Sequence, residues 1–230
     1  MPERALLLLA DISGYTEFMR LHRLNLGHSQ EITQRLLESM LDAVPGLELI
    51  EVEGDALFLA APEREQQPTA AEGWVPFAFA MHRAFHEQQQ WMVAHNLCVC
   101  DACRQIGRLR VKFVAHLGNV VTQTIRGSEK LVGIDVIAVH RMLKSPVPCA
   151  EYVLMSEPLY RLLGADLRAR ATLTEQELEG LGTVPLYFVG LNELSTESAP
   201  LPEPKLAARL RETVGFGIRA LPRVIGRRAP

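Results

Sequence analysis

Residues 5–10 read ALLLLA, an unbroken apolar run closed by Asp11. A run this short has no polar side to give to water. It reads as a strand buried on both faces rather than as an amphipathic helix. Such a strand lies inside a sheet with cover above and below, which selects a layered fold. The run is too short for a signal-peptide core with a cleavage site, and no later run reaches the roughly 18 apolar residues of a membrane span. A soluble, cytoplasmic protein is expected. The length of 230 residues, 48% apolar and 22% charged, supports one large domain with a tail. A net charge of −3 excludes nucleic-acid binders whose affinity rests on overall positive charge.

After Asp11 the chain turns into a helix. Ile32, Leu36, Met40 and Val44 recur every fourth residue beside Leu37 and Leu41, the stripe of an amphipathic helix over 29–44 that Pro45-Gly46 stops. Short strands at 47–52 and 56–61 flank Glu53-Gly54-Asp55 and read as a hairpin with acids at its tip, Glu53 being turn-side and solvated. Residues 62–73 are loop-like, 76–96 read as a second long helix, and 98–107 as a cysteine-bearing loop. Residues 109–124 alternate, with a break at Gly118-Asn119, and read as a second hairpin. A helix over 134–144, a strand at 152–155, a short helix at 158–163 and a closing strand at 186–191 follow. Local hairpins mixed with helical crossovers place the fold in the α/β class, in the α+β sense. Residues 205–230 carry seven cations and one acid, Glu212, and read as a basic helix with a frayed end. Its stripe of Leu206, Leu210, Val214 and Ile218 suits packing on the domain, a protein partner or an anionic membrane surface.

Two aspartates mark strand ends. If the first strand lies beside the first hairpin, Asp11 and Asp55 come together, and one of the pair takes up a proton unless a cation is shared. Hard oxygen ligands there suit Mg²⁺ or Mn²⁺, with phosphate oxygens completing the shell. The plainer alternative is that Asp11 caps a turn and Asp55 supports a glycine turn. Cys98, Cys100 and Cys103 crowd three of the four cysteines into six positions. Thiolates converging from one loop suit Zn²⁺. The fourth ligand stays unassigned among Cys149, His95, Asp101, a neighbouring histidine and a group from a second subunit. Reduced thiols, or a redox pair of Cys103 with Cys98 or Cys100, are the other readings. His82 and His86 stand four apart, a spacing that can chelate, although surface decoration is the plainer reading. His116 reads as a core or near-site histidine.

Six segments in series resemble class III nucleotidyl cyclases. ADISGYTEF (10–18) resembles their D-I-x-G-[FY]-T segment, and VEGDALFLA (52–60) their G-D-A hairpin. VKFVAHLGNVV (111–121) is similar to the strand–H-x-G–strand element, and LVGIDVIAVHRM (131–142) to the G-x-x-V-x-x-A-x-R helix. YVLMSEPLY (152–160) and GLGTVPLYFV (180–189) resemble the strand-Ser-Glu element and the final strand. A bacterial cyclase-like family shares the E-G-D-A hairpin, the C-x-C-x-x-C loop and the E-K-L-x-G-x-D-V stretch. The resemblance implies a ferredoxin-like β-α-β-β-α-β core, with a mixed or antiparallel sheet flanked by helices. It implies a cyclase-like domain over 1–195 that includes loop 97–107, and the shift in composition marks 196–230 as a basic, partly helical tail. It also implies a homodimer with the site between subunits.

By position in that family, Asp11 and Asp55 would hold Mg or Mn on a triphosphate, helped by the Ile12 carbonyl. The turn Ile12, Ser13, Gly14, Tyr15 and Thr16 would take phosphate. Arg141, from the other chain, would stabilise transition-state charge. Other positions depart from the family pattern. Glu51 replaces the purine-reading lysine, and Lys130 the partner that reads the base. Ile137 replaces the ribose-orienting asparagine, and Glu179 or Leu181 the phosphate lysine. The expectation is a signalling protein that binds a nucleotide or phosphate-bearing small molecule, with weak or no catalysis. Two alternatives stand beside it: an active metal-dependent cyclase with altered base preference, and a zinc-clipped interaction module without enzyme activity.

Overall fold

The chain is described from a computed structural model covering residues 2–21, 26–62, 73–191 and 204–225. The apolar run forms the middle of β1 (Glu3–Ser13), and no residue from Ala5 to Ala10 is more than 2% exposed. Its side chains alternate between two cores. Leu6, Leu8, Ala10 and Ile12 enter one, and Ala5, Leu7 and Leu9 the other, as the period of two requires. Burial of both faces is why the run contains no polar residue.

Helices α1 (Tyr15–Leu21) and α2 (Leu26–Asp42) lead to the hairpin β2 (Glu48–Glu53) and β3 (Ala56–Pro62). Helix α3 (Trp74–His95) crosses back, and α4 (Asp101–Gln105) precedes β4 (Arg110–Ile125). Then come β5 (Ser128–Val132), α5 (Ile134–Met142), β6 (Tyr152–Ser156), α6 (Glu157–Arg161) and α7 (Ala165–Arg170). The chain closes with β7 (Thr172–Leu178), β8 (Gly182–Gly190) and α8 (Leu206–Ile225). The eight-stranded sheet runs β2-β3-β1-β4-β6-β8-β7, with β5 paired to β4. Its first four strands are all antiparallel and form the expected ferredoxin-like core. Strand β6 adds parallel to β4, so the whole sheet is mixed. Residues of α2, α3, α4 and α8 cover one face, and Val139 and Met142 of α5 the other.

Residues 109–124 do not form a hairpin. Strand β4 runs unbroken for 16 residues, and its turn comes later, at Arg126-Gly127. Gly118 is a packing seat rather than a break. A Cβ there would fall 2.3 Å from Cβ of Asp135, so only glycine lets α5 approach β4 this closely. Asp135 then accepts hydrogen bonds from the Asn119 N–H (2.6 Å) and pairs with His116 Nε2 at 3.0 Å. Strands β5 and β7 and helix α7 are not legible in the sequence because each is largely solvated and lacks a clean apolar period. The loop at 98–107 contains α4.

Helix α8 packs on the domain through Phe216 and Ala220, both 2% exposed. Leu206, Leu210, Val214 and Ile218 face outward, each more than half exposed. That stripe is therefore not what seats the helix. Among the described residues no helix is long and apolar enough to cross a membrane. The expected loop core at 63–72, the domain boundary at 195/196 and the end of the tail at 226–230 lie outside the described residues.

Candidate functional site

Strands β1 and β3 pair with Asp11 opposite Ala56, which brings Asp55 to the end of β1. Gly54, at φ 69°, makes the hairpin tip that points the chain back. The Ile12 N–H donates to the Asp55 carbonyl at 3.3 Å. The two aspartates thus meet at one strand end. Burial, and after it the charge of Asp11, pushes the Asp55 carboxyl up to about 6, against the pull of its own backbone N–H and of Lys112. Lys112 lies directly across from Asp11 on β4 and sets Nζ 3.2 Å from Asp11 Oδ2. Two tyrosines complete the group. Burial and the Asp55 charge raise the Tyr15 hydroxyl. Burial, then Asp11 and Cys149, raise that of Tyr152 to about 12. Two carboxylates, one of them held against ionisation, share a single ammonium. That donor set suits a divalent cation.

The turn after β1 begins with Ile12, whose side chain is in the core. Ser13, Gly14, Tyr15 and Thr16 are exposed or half-buried, and α1 opens with the Phe18 N–H donating to the Gly14 carbonyl at 2.9 Å. Glu51 and Lys130 meet within one chain, with both carboxylate oxygens 3.0 Å from Nζ. Each is nearly half exposed, so the pair adds little stability, but it occupies both groups. Glu53 is not simply solvated. It lies 2.8 Å from His140 Nε2, whose ring packs edge-on against Phe58. Ile137 is exposed. Arg141 is turned toward the β7–β8 connection, 3.9 Å from Glu179. Within one chain it is directed to that acid.

The three clustered cysteines converge, and the structure supplies the companion that their spacing does not identify. His28, near the start of α2, sets Nδ1 at 3.3 Å from Cys100 Sγ, 3.6 Å from Cys98 and 3.7 Å from Cys103. All four candidate ligand atoms lie within 4.8 Å of one another. The four cysteines are free thiols. Burial raises the Cys103 and Cys100 thiols and lowers the His28 imidazole. Cys149 belongs elsewhere, its thiol donating to the Glu151 carbonyl at 3.2 Å. His95 stacks on Trp91. The only signal for His28 in the sequence was a lone histidine at a helix start, some 70 residues from the loop.

His82 and His86 are not surface decoration. His82 is 5% and Glu151 3% exposed. His86 Nε2 lies 2.8 Å from Glu151 Oε1, which also accepts from the Val111 N–H at 3.1 Å. His82 Nε2 is 3.7 Å from the other carboxylate oxygen. Burial would push this carboxyl up, but the two imidazoles and the Val111 N–H hold it down at about 2. The group ties α3 to β4 and to the entry of β6. Hydrogen bonds to Glu151 and Gln89 hold His86, the buried Nε2 of His82 has no hydrogen-bond partner among the described residues, and the side chains of His82, His86 and Glu151 stand close enough together to hold a metal ion.

The family model described as "Protein of unknown function (DUF2652)" matches residues 33–152. "Uncharacterized protein Rv2561/Rv2562" of Mycobacterium tuberculosis (strain ATCC 25618 / H37Rv) is 33% identical over 194 residues, covering 84% of this chain and 88% of that protein. Among solved structures, the guanylyl cyclase Cya2 superposes with a TM-score of 0.65 at 18% identity, covering 89% of this chain and 98% of that one. The guanylate cyclase domain of RhGC from Catenaria anguillulae in complex with GTP gives 0.58 at 16%, covering 82% and 97%. The adenylyl cyclase CyaB from P. aeruginosa gives 0.56 at 15%, covering 88% and 98%. The fold is that of class III adenylyl and guanylyl cyclase domains.

Proposed function

We propose, for a chain that belongs to the family described as Protein of unknown function (DUF2652), a signalling role in which it binds a nucleoside triphosphate or similar phosphate-bearing ligand with little or no cyclisation. The observation that carries this reading is the meeting of Asp11 and Asp55 at the end of β1, with Asp55 pushed up to about 6. Two such carboxylates gain from a shared divalent cation. Mg²⁺ or Mn²⁺ bound there would neutralise phosphate charge. Asp11 and Asp55 would hold it, and the turn Ser13–Thr16 would offer backbone N–H groups to phosphate oxygens. Lys112 would exchange its contact with Asp11 for one with the ligand.

The positions that would read a base do not reach for one. Glu51 and Lys130 satisfy each other at 3.0 Å, and Ile137 supplies no donor or acceptor. Base discrimination requires polar groups left unpaired by the wrong base. Without them, binding rests on phosphate and metal, and the four common triphosphates become near-equivalent. Arg141 would join the site only from a second copy, in the homodimer that the cyclase fold suggests. Calorimetric titration of the folded protein with ATP, GTP, CTP and UTP in the presence of Mn²⁺ tests the reading. Similar affinities for all four support it. Absence of heat from every one of them sinks it. Strong preference for one base, with a 3′,5′-cyclic product seen by mass spectrometry, would favour an active cyclase with altered base choice.

A further inference from the structure

The structure assigns His28 as the fourth ligand of a structural zinc centre completed by Cys98, Cys100 and Cys103, and we infer that this centre holds the seat on which α8 docks. Zinc bonds of about 2.3 Å to sulfur and about 2.0–2.1 Å to nitrogen, at tetrahedral angles, require nitrogen–sulfur separations of about 3.6 Å. His28 Nδ1 stands 3.3, 3.6 and 3.7 Å from the three sulfurs. The nitrogen–sulfur separations thus fit one tetrahedral site, and all four donors, from two distant stretches of chain, lie within 4.8 Å of one another. Thiols give up their protons on binding, and three thiolates with a neutral imidazole form a closed set with no open position. A closed set is structural rather than catalytic.

Outer contacts orient the sulfurs. Asn96 Nδ2 donates to Cys103 Sγ at 3.2 Å, and the backbone N–H of Cys103 donates to Cys100 sulfur. Asn96 Oδ1 also accepts from the Cys98 N–H at 2.8 Å, fixing the start of the loop. Such partners set ligand geometry and raise metal affinity. The centre shares no residue with the Asp11–Asp55 site, so the two sites stand or fall separately.

The centre also lies under α8. Phe216 packs edge-on against the His28 ring with centroids 5.1 Å apart. The Leu97 N–H, one residue before the first ligand, donates to Thr213 Oγ1 at 2.9 Å. Beside them Arg35 and Arg219 both bridge Glu31 and Glu212, at 2.8–3.0 Å. Ordering His28 and the loop therefore orders the surface that α8 covers. Loss of the metal frees both contacts.

The test uses the full chain. Purified protein should contain about one zinc per chain, with an X-ray absorption shell of three sulfurs and one nitrogen. Replacement by Co²⁺ should give the absorption of a tetrahedral thiolate site. His28→Ala should weaken zinc binding by more than the roughly 10–100-fold that loss of an outer partner costs, while His28→Cys should keep it. Removing zinc with a chelator should speed amide hydrogen exchange in α8. Metal-free protein that binds no added zinc would overturn the site, as would unchanged zinc affinity in His28→Ala. If His28→Ala fails to fold, the absorption shell of the wild type and the retained zinc in His28→Cys still decide. Unchanged α8 exchange after zinc removal would overturn the coupling.

Discussion

Replacing Asp55 by asparagine should stabilise the metal-free protein, and the gain should grow with pH. The folded structure lifts the Asp55 carboxyl from 3.8 to about 6, through burial and then through the charge of Asp11. An acid whose folded value is raised loses stability as pH rises. The cost is absent below about 3.8, grows between the two values and is complete above about 6. Roughly two pKa steps at about 1.4 kcal/mol each set a ceiling of about 3 kcal/mol. Asp55 is only half-buried, and solvent screening brings the figure to about 1.5 kcal/mol at about pH 7.5. Near pH 4.5 linkage leaves about a third of that. Urea unfolding of wild type and Asp55→Asn at both pH values, with metal removed, reads the difference directly. Saturating Mn²⁺ should then stabilise the wild type, by about 2.7 kcal/mol at a hundred times its dissociation constant, and leave the variant unchanged. A variant less stable than wild type at high pH, or an equal gain at both pH values, would refute the idea that Asp11 and Asp55 are poised for a cation.

Three other substitutions probe separate parts of the account. Glu151→Gln should destabilise by at most about 3 kcal/mol at neutral pH. Because the folded Glu151 value lies near 2, below the usual 4.5, that loss should vanish as pH falls through this window, which denaturation at several pH values would show. Lys130→Ala should change stability by less than about 1 kcal/mol in thermal unfolding and leave triphosphate affinity unchanged, since the Glu51–Lys130 pair is exposed. Gly118→Ala should cost about 1–3 kcal/mol in urea unfolding, because the added Cβ meets Asp135.

The parts of the molecule that could be read in the sequence are those with a strong local signal. The run at 5–10 announced a two-faced central strand, and the Glu53-Gly54-Asp55 tip announced its neighbour. Whether the aspartates meet depended on those two lying side by side, which only the pairing of β1 with β3 decides. What failed was whatever depends on approach between distant segments. Gly118 looks like a strand break until Asp135 is seen against it. Lys112 is an ordinary alternating residue of β4 until register puts it opposite Asp11. Glu151 carries no local mark, since the partners that hold its charge lie on α3 and at Val111. The cysteines declared a cluster, but the fourth group, His28, is distant in sequence and sits on another helix. Strand β7 alternates so weakly in burial that only its pairing with β8 identifies it.

The most direct test of the central claim is calorimetric titration of ATP with Mn²⁺ into wild type and into Asp55→Asn, each verified as folded. The account predicts saturable binding by the wild type, lost when Asp55 is replaced or when Mn²⁺ is chelated. Binding of equal strength in both proteins would contradict it, as would the absence of binding in the wild type.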